Sequence, residues 1–257
     1  MVSHILILSK YPDLFALCGL LILFSVTTKA LELTVETSIA NKPLLINILT
    51  VSNEEMTQTV INHHLNDTGI VNNFRINMLA SYPKQQHALN AASIPDIQQV
   101  IHTEIPQSEV RVDYIVYDNE EWNMTPAEEQ TDPEGSTNRA ADIVHAAGYD
   151  FGVSPSRQLL LEELHETDWR EIDLLIIQTQ KLVGTAEFKD MIYRVSSTVR
   201  SQNPSCIVMV QVNPSLNTID QIVDATNSVR ESIDGVSIIW NKNDASMLDD
   251  LLTSLKH

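Results

Sequence analysis

Asp118 and Glu120 stand two residues apart where the segment from Val110 to Trp122 passes from apolar to acidic. The segment opens with β-branched and aromatic residues, the composition of a buried strand, and closes in carboxylates and a tryptophan. Alternation along a strand puts Tyr114, Val116, Asp118 and Glu120 on one face, with Asp113, Ile115, Tyr117 and Asn119 on the other. If the strand end opens into a pocket, the two acids suit acid/base chemistry, because crowding raises the pKa of one carboxyl while the other stays ionised. The plainer alternative is that Asp118 to Glu121 simply begins a solvated loop. A divalent-metal site built from Asp118, Glu120 and Glu121 is a third reading, since hard cations take carboxylates.

Other side chains with chemistry to offer fall at the ends of later apolar runs. Gln178 and Gln180, then Gln211 and Asn213, are pairs of uncharged donor-acceptors suited to hydroxyl and amide groups, and each pair is spaced to share a strand face. Trp240 ends another such run and offers a flat platform for a ring, or else is an ordinary core aromatic. Trp122, just past the acids, is placed to wall the same cleft, whereas Trp169 reads as packing. His63, His64, His87, His102 and His165 fall on segments that read as helical, and His145 reads as a helix-face residue. No HxH, HExxH or CxxC spacing occurs, so no zinc site is expected. The chain also lacks GxSxG, GxGxxG and GxxxxGK[ST], so neither a serine elbow nor a cofactor is expected.

These residues need elements to position them. Pro43 introduces an apolar run over Leu44 to Thr50 that reads as a strand, after a shorter candidate at Leu31 to Ser38. Helix is expected over 53–65, strand over Phe74 to Ala80, and helix over Gln85 to Ala92 and again over Pro95 to His102. From the acidic segment onward the rhythm is regular: helix over Thr137 to Ala147 closed by Gly148, strand from Tyr149, helix from Gln158, strand over Asp173 to Gln180. Helix over Phe188 to Ser201 follows, then strand over Ile207 to Asn213, helix over Thr218 to Ser232, strand over Gly235 to Trp240, and a closing helix over Ala245 to Leu255. Strand and helix alternate seven or eight times with no Pro/Gly/Ser linker between them. Continuous apolar strands separated by helices imply a parallel sheet covered on its outside. An open doubly wound sheet and a closed (β/α)8 barrel both satisfy the pattern. The barrel is preferred because polar residues recur at the ends of many strands, and a barrel gathers those ends around one mouth.

The chain's 257 residues divide into a leader, 1–30, and a barrel domain, 31–257. Lys10 precedes the uncharged apolar run Leu14 to Val26, and Thr28 to Ala30 supply the small residues of a cleavage site. The run is shorter than the ~20 residues of a spanning helix, which favours a cleaved signal over an uncleaved anchor. Either places the domain outside the cytoplasm, secreted or tethered, with the membrane a partner only through that segment. A formal charge of -18 argues against nucleic acid as a partner. Cys206 is the one cysteine beyond the leader, so no internal disulfide is available after cleavage, and its apolar setting reads as a buried structural thiol.

The run Asp113 to Glu120 resembles the catalytic strand of chitinase-type glycoside hydrolases, a D-x-x-D-x-D-x-E pattern ending a barrel strand. The resemblance implies that Glu120 is the proton donor, that Asp118 orients the substrate's acetamido group, and that Asp113 is the outermost acid. Val116 stands where the pattern has its middle Asp. Gly235 to Trp240 is similar to that family's last strand, which ends in a tryptophan flooring the sugar site, and Phe74 to Ser81 is similar to an earlier strand without its glycines. Tyr117 to Pro133 also resembles uncharacterised exported barrel proteins, a likeness that implies no activity. Together these point to an exported barrel acting on carbohydrate, with Glu120 and Asp118 catalytic and Gln178, Gln180, Gln211, Asn213, Trp240 and Trp122 binding the substrate. The alternative is a non-catalytic surface barrel that binds a polar ligand.

Overall fold

The computed structural model describes residues 44–49, 53–63, 69–82, 85–162, 166–241 and 243–256. The leader and the candidate strand Leu31 to Ser38 lie outside the described residues. Eight strands run in sequence order: β1 (Leu45–Leu49), β2 (Gly69–Asn73), β3 (Gln86–Ala91), β4 (Tyr114–Tyr117), β5 (Asp150–Val153), β6 (Leu174–Gln178), β7 (Ile207–Val212) and β8 (Gly235–Ile239). Each pairs in parallel with the next, and β8 pairs back onto β1 through Leu45 to Leu49 against Gly235 to Ile239. The ring is therefore a closed (β/α)8 barrel, the architecture expected from the alternation.

Helices α1 (Glu54–His63), α2 (Ile76–Leu79), α3 (Ile94–Gln99), α4 (Ala127–Thr131), α5 (Pro133–Ala146), α6 (Arg157–Glu162), α7 (Ala186–Gln202), α8 (Ile219–Ser228) and α9 (Ala245–Lys256) fill the connections. Several begin on caps legible in the chain: Thr185 opens α7 and Thr218 opens α8, the latter with Gln221 completing a reciprocal box. Gly148, at φ +86°, closes α5 in a conformation that costs other residues strain.

Two segments differ from the sequence expectation. Phe74 to Ala80 is a turn followed by α2, because Asn73 ends β2 and its side-chain oxygen accepts the Arg75 N–H at 3.0 Å, bending the backbone out of the sheet. Gln85 to Ala92, expected as helix, contains β3. Its residues alternate between the two sides of a strand: Ala88 packs inside the barrel, and Leu89 and Ala91 pack outside. His87 is accordingly a strand residue, buried with its ring nitrogens 2.6 Å and 2.7 Å from the carbonyls of Arg111 and Tyr82. With β2 and β3 in these places, the acidic segment follows the fourth strand.

Alternation splits the core in two. Ile70, Ala88, Tyr114, Val116, Leu174, Ile176 and Met209 pack in the lumen. Their alternate neighbours in each strand, such as Val71, Leu89, Ile115, Leu175 and Val210, pack outward under the helices in a much larger cluster.

The N-terminal end, or foot, of the barrel carries one device three times. Asp113, Asp173 and Asp234 each precede an even-numbered strand, β4, β6 or β8, and each accepts a backbone N–H from the strand before it. The bonds come from His87 at 3.0 Å, Phe151 at 2.8 Å and Val208 at 2.9 Å. Each carboxylate also meets a basic side chain at 2.9 Å: Arg111, His145 and Arg200 respectively. Asp113 thus belongs to the foot and lies away from the mouth. Cys206 sits beside this end, buried, with its thiol pushed up to about 12 chiefly by burial, as an inert structural thiol should be.

Candidate functional site

At the other end of β4 the side chains keep strand alternation past the last hydrogen-bonded residue. Asp118 follows Val116 on the lumenal face, only 7% exposed, and its backbone N–H bonds the Ala91 carbonyl of β3 at 2.9 Å. Burial raises its carboxyl to about 8; the nearby charge of Glu120 adds to the rise, and a hydrogen bond with Ser154 opposes it. Val116, where the chitinase-like pattern has an acid, is fully buried in the lumen cluster and so offers Asp118 apolar surroundings from below. Among the described residues, one oxygen of Asp118 has no hydrogen-bond partner although it is buried.

Glu120 is half-buried, and its Oε1 accepts the side-chain amide of Gln178 at 2.5 Å, so its carboxyl reaches across β5 toward β6. The same amide nitrogen donates to the Ser154 carbonyl at 3.1 Å. Gln178 in turn pairs in register with Gln211 of β7, whose Oε1 accepts the Gln180 amide at 2.5 Å. Asp118, Glu120, Gln178, Gln180 and Gln211 therefore form one polar arc over β4 to β7. Asn213 lies at the margin and turns its oxygen to the Ser215 N–H at 2.8 Å, shaping the loop after β7. Trp122 sits in the loop after β4 with its indole N–H donated to Thr125 Oγ1 at 2.8 Å.

Trp240 and Glu121 also stand apart from the arc. Trp240 follows Val236 and Ile238 on the outward face of β8 and is 2% exposed within the outer core, so it offers no platform to a ligand at the mouth. Glu121 is exposed, and no group of three or more His, Cys, Asp or Glu arranged to hold a metal exists among the described residues, so the carboxylate trio does not assemble.

Several polar residues that matter here carry no strand-end signal. Asn47, Asn72, Asn90 and Ser237 are 5% exposed or less, lie inside β1, β2, β3 and β8, and alternate with lumenal or outward residues so as to face the lumen. Among the described residues neither amide atom of Asn47 has a partner, nor do Asn72 Oδ1, Asn90 Oδ1 and Ser237 Oγ. The only trace in the sequence is one polar residue in the middle of an apolar run. Glu129, on α4, is 3% exposed; its carboxylate accepts the Tyr117 hydroxyl at 2.7 Å and the Ile94 N–H that opens α3. Burial and that carboxylate hold the Tyr117 phenol well above its ordinary value.

The fold and the position of this arc define the protein's class: a TIM barrel with its polar cluster at the C-terminal ends of the strands, where enzymes of this architecture keep their sites. No protein-family model and no curated protein matches the sequence. Solved structures similar to it are TIM-barrel proteins. Concanavalin B aligns over 84% of this chain and 98% of its own at 10% identity, with a TM-score of 0.53. A barrel assigned as a fructose-1,6-biphosphate aldolase, from Coccidioides immitis, aligns over 86% and 88% at 12% identity with a TM-score of 0.51. The zinc-binding IolI protein aligns over 83% and 95% at 11% identity with a TM-score of 0.51. Similarity at this level shows the shared fold alone.

Proposed function

We propose that the protein acts on a neutral, hydroxyl-rich ligand of the carbohydrate class at the barrel mouth, with Asp118 and Glu120 as its acid–base pair. The observation that carries this reading is the state of Asp118, a buried carboxyl with a free oxygen, raised to about 8 beside a second carboxyl. Glycoside hydrolysis needs one carboxyl bearing a proton and one facing the positive charge that develops on the sugar. Near neutrality Asp118 is the carboxyl that holds its proton, which makes it the donor. Glu120, fixed by Gln178, then faces the charge, the reverse of the division the resemblance implied. Gln180 and Gln211 supply neutral donors and acceptors for hydroxyls, and concanavalin B is among the similar structures.

The reading is tested by incubating wild-type protein, Asp118→Asn and Glu120→Gln with β-linked N-acetylated and plain oligosaccharides. Cleavage by the wild type, reduced about a hundredfold or more in each variant, is the expected result. Its rate should fall as pH rises through about 8. A wild type that binds these sugars and cuts none would instead establish a non-catalytic binder. Two features favour that second reading: Trp240 is turned away from the mouth, and Val116 occupies an acid's place.

A further inference from the structure

The outer face of the barrel over β4 and β5 is covered unevenly. Helix α5 has 14 residues and α7 has 17, but α6 between them has 6, so it spans less than half the length of either neighbour. A cavity remains between α5, α6 and the strands, about 370 Å3 with its opening to solvent counted in. Tyr117 and Val153 of the strands, Leu160 of α6, and Trp169 and Ile172 ahead of β6 line it, and all five are buried. Glu134 and Thr137 of α5, with Pro155 and Leu159, are partly exposed and mark where it meets solvent. Part of the space is the opening itself, which limits an occupant to about one six-membered ring.

One lining residue is polar, buried and incompletely bonded. Asn119 is 3% exposed, and its Nδ2 has no acceptor among the described residues. Alternation past the end of β4 puts it on the outer face with Tyr117, opposite to Asp118, and its carbonyl accepts the Ser156 N–H at 3.2 Å. The nearby Tyr117 hydroxyl is already committed to Glu129. The cavity thus combines apolar and aromatic walls with an unused amide donor, and the Glu134 carboxylate at its opening disfavours an anion. We propose that this cavity is a second ligand site, on the flank of the barrel and separate from the mouth, that takes an uncharged ring-sized molecule carrying one acceptor oxygen. The ring packs against Trp169 and Leu160, and its oxygen accepts the Asn119 amide. None of the residues of the polar arc lines this cavity, so its ligand is independent of whatever occupies the mouth.

Cyclohexanone, an uncharged ring with one acceptor oxygen, is a suitable probe. Titrated into the full-length protein, it should shift the Asn119 side-chain amide and the Trp169 indole N–H resonances together and saturably, with a Kd on the order of millimolar or tighter. Asn119→Leu should weaken binding about tenfold, the loss of one hydrogen bond. Leu159→Trp, which fills the partly exposed side of the cavity, should abolish binding without lowering the melting temperature. The two variants act independently, so a folding failure in one leaves the other decisive. Absence of saturable shifts would overturn the site, as would shifts that persist in Leu159→Trp, because the ketone then binds elsewhere. Undiminished affinity in Asn119→Leu would overturn it too, since the cavity would then be an apolar void with no recognition group. The hydrolase reading fails separately, by lack of cleavage with these shifts intact.

Discussion

The two ends of this barrel treat their polar groups in opposite ways. At the foot, Asp113, Asp173 and Asp234 each bind a strand N–H and a basic side chain, so every one of these carboxylates stitches two adjacent strands together. At the mouth and in the lumen beneath it, Asp118 is raised to about 8 and keeps an oxygen without a partner, and the lumenal asparagines are left in the same condition. Carboxylates answered by the protein itself belong to stability. Polar atoms buried and left unanswered impose a cost that stability alone gives no reason to retain.

Substitutions at the two ends should therefore have opposite signs. The largest effect is expected at the foot. Asp234→Ala removes the acceptor of the Val208 N–H and strands Arg200, so it should cost about 3 kcal/mol in denaturant unfolding. A loss much under ~1 kcal/mol would mean that the foot is not the stabilising end.

Asp118→Asn should act in the other direction. The folded-state pKa of Asp118 lies near 8, against 3.8 when unperturbed, so between those values the folded protein holds a proton that the unfolded chain has released. Stability from this group is complete below about pH 4 and drains away as pH rises toward 8. Asp118→Asn, which cannot ionise, should flatten that decline and gain on the order of a few kcal/mol at pH 8 relative to the wild type. Parallel pH-stability curves for the two proteins would contradict the buried, raised carboxyl.

Smaller effects separate the mouth from the outer shell. Gln178→Leu removes the amide that holds Glu120 and should change stability by under ~1 kcal/mol while reducing any turnover by about tenfold. Trp240→Phe should cost about 1–2 kcal/mol in unfolding and leave ligand affinity unchanged, since the indole belongs to the outer core. A change in affinity with unaltered stability would return Trp240 to the site.

The foot-to-mouth contrast also explains what was legible in the sequence. From β4 onward each strand is a largely apolar run separated from the next by a helix, and the barrel follows from that rhythm. Asp118, Glu120 and the glutamines were visible because they interrupt apolar runs where strands stop. Asn47, Asn72, Asn90 and Ser237 were not, because a polar residue inside a strand faces the lumen only once the ring is closed. The same polarity concealed β3: Gln86, His87 and Asn90 break the apolar pattern of a strand, and tertiary pairing with β2 and β4 overrides their local preference. Trp240 was misplaced for a related reason, since its side is set by strand parity, and Ile238 and Val236 fix that parity outward.

Glu129 restricts how this scaffold could be re-engineered. Its carboxylate ties the phenol on β4 to the first turn of the preceding α3, so the loop bearing the acids is anchored through a residue that lies beyond that loop in the chain. Grafting a foreign segment that ran from β4 into α4 would have to spare that anchor. A transplant that removed it would leave a phenol and a helix terminus without their acceptor, and would loosen the neighbouring unit along with the one being redesigned.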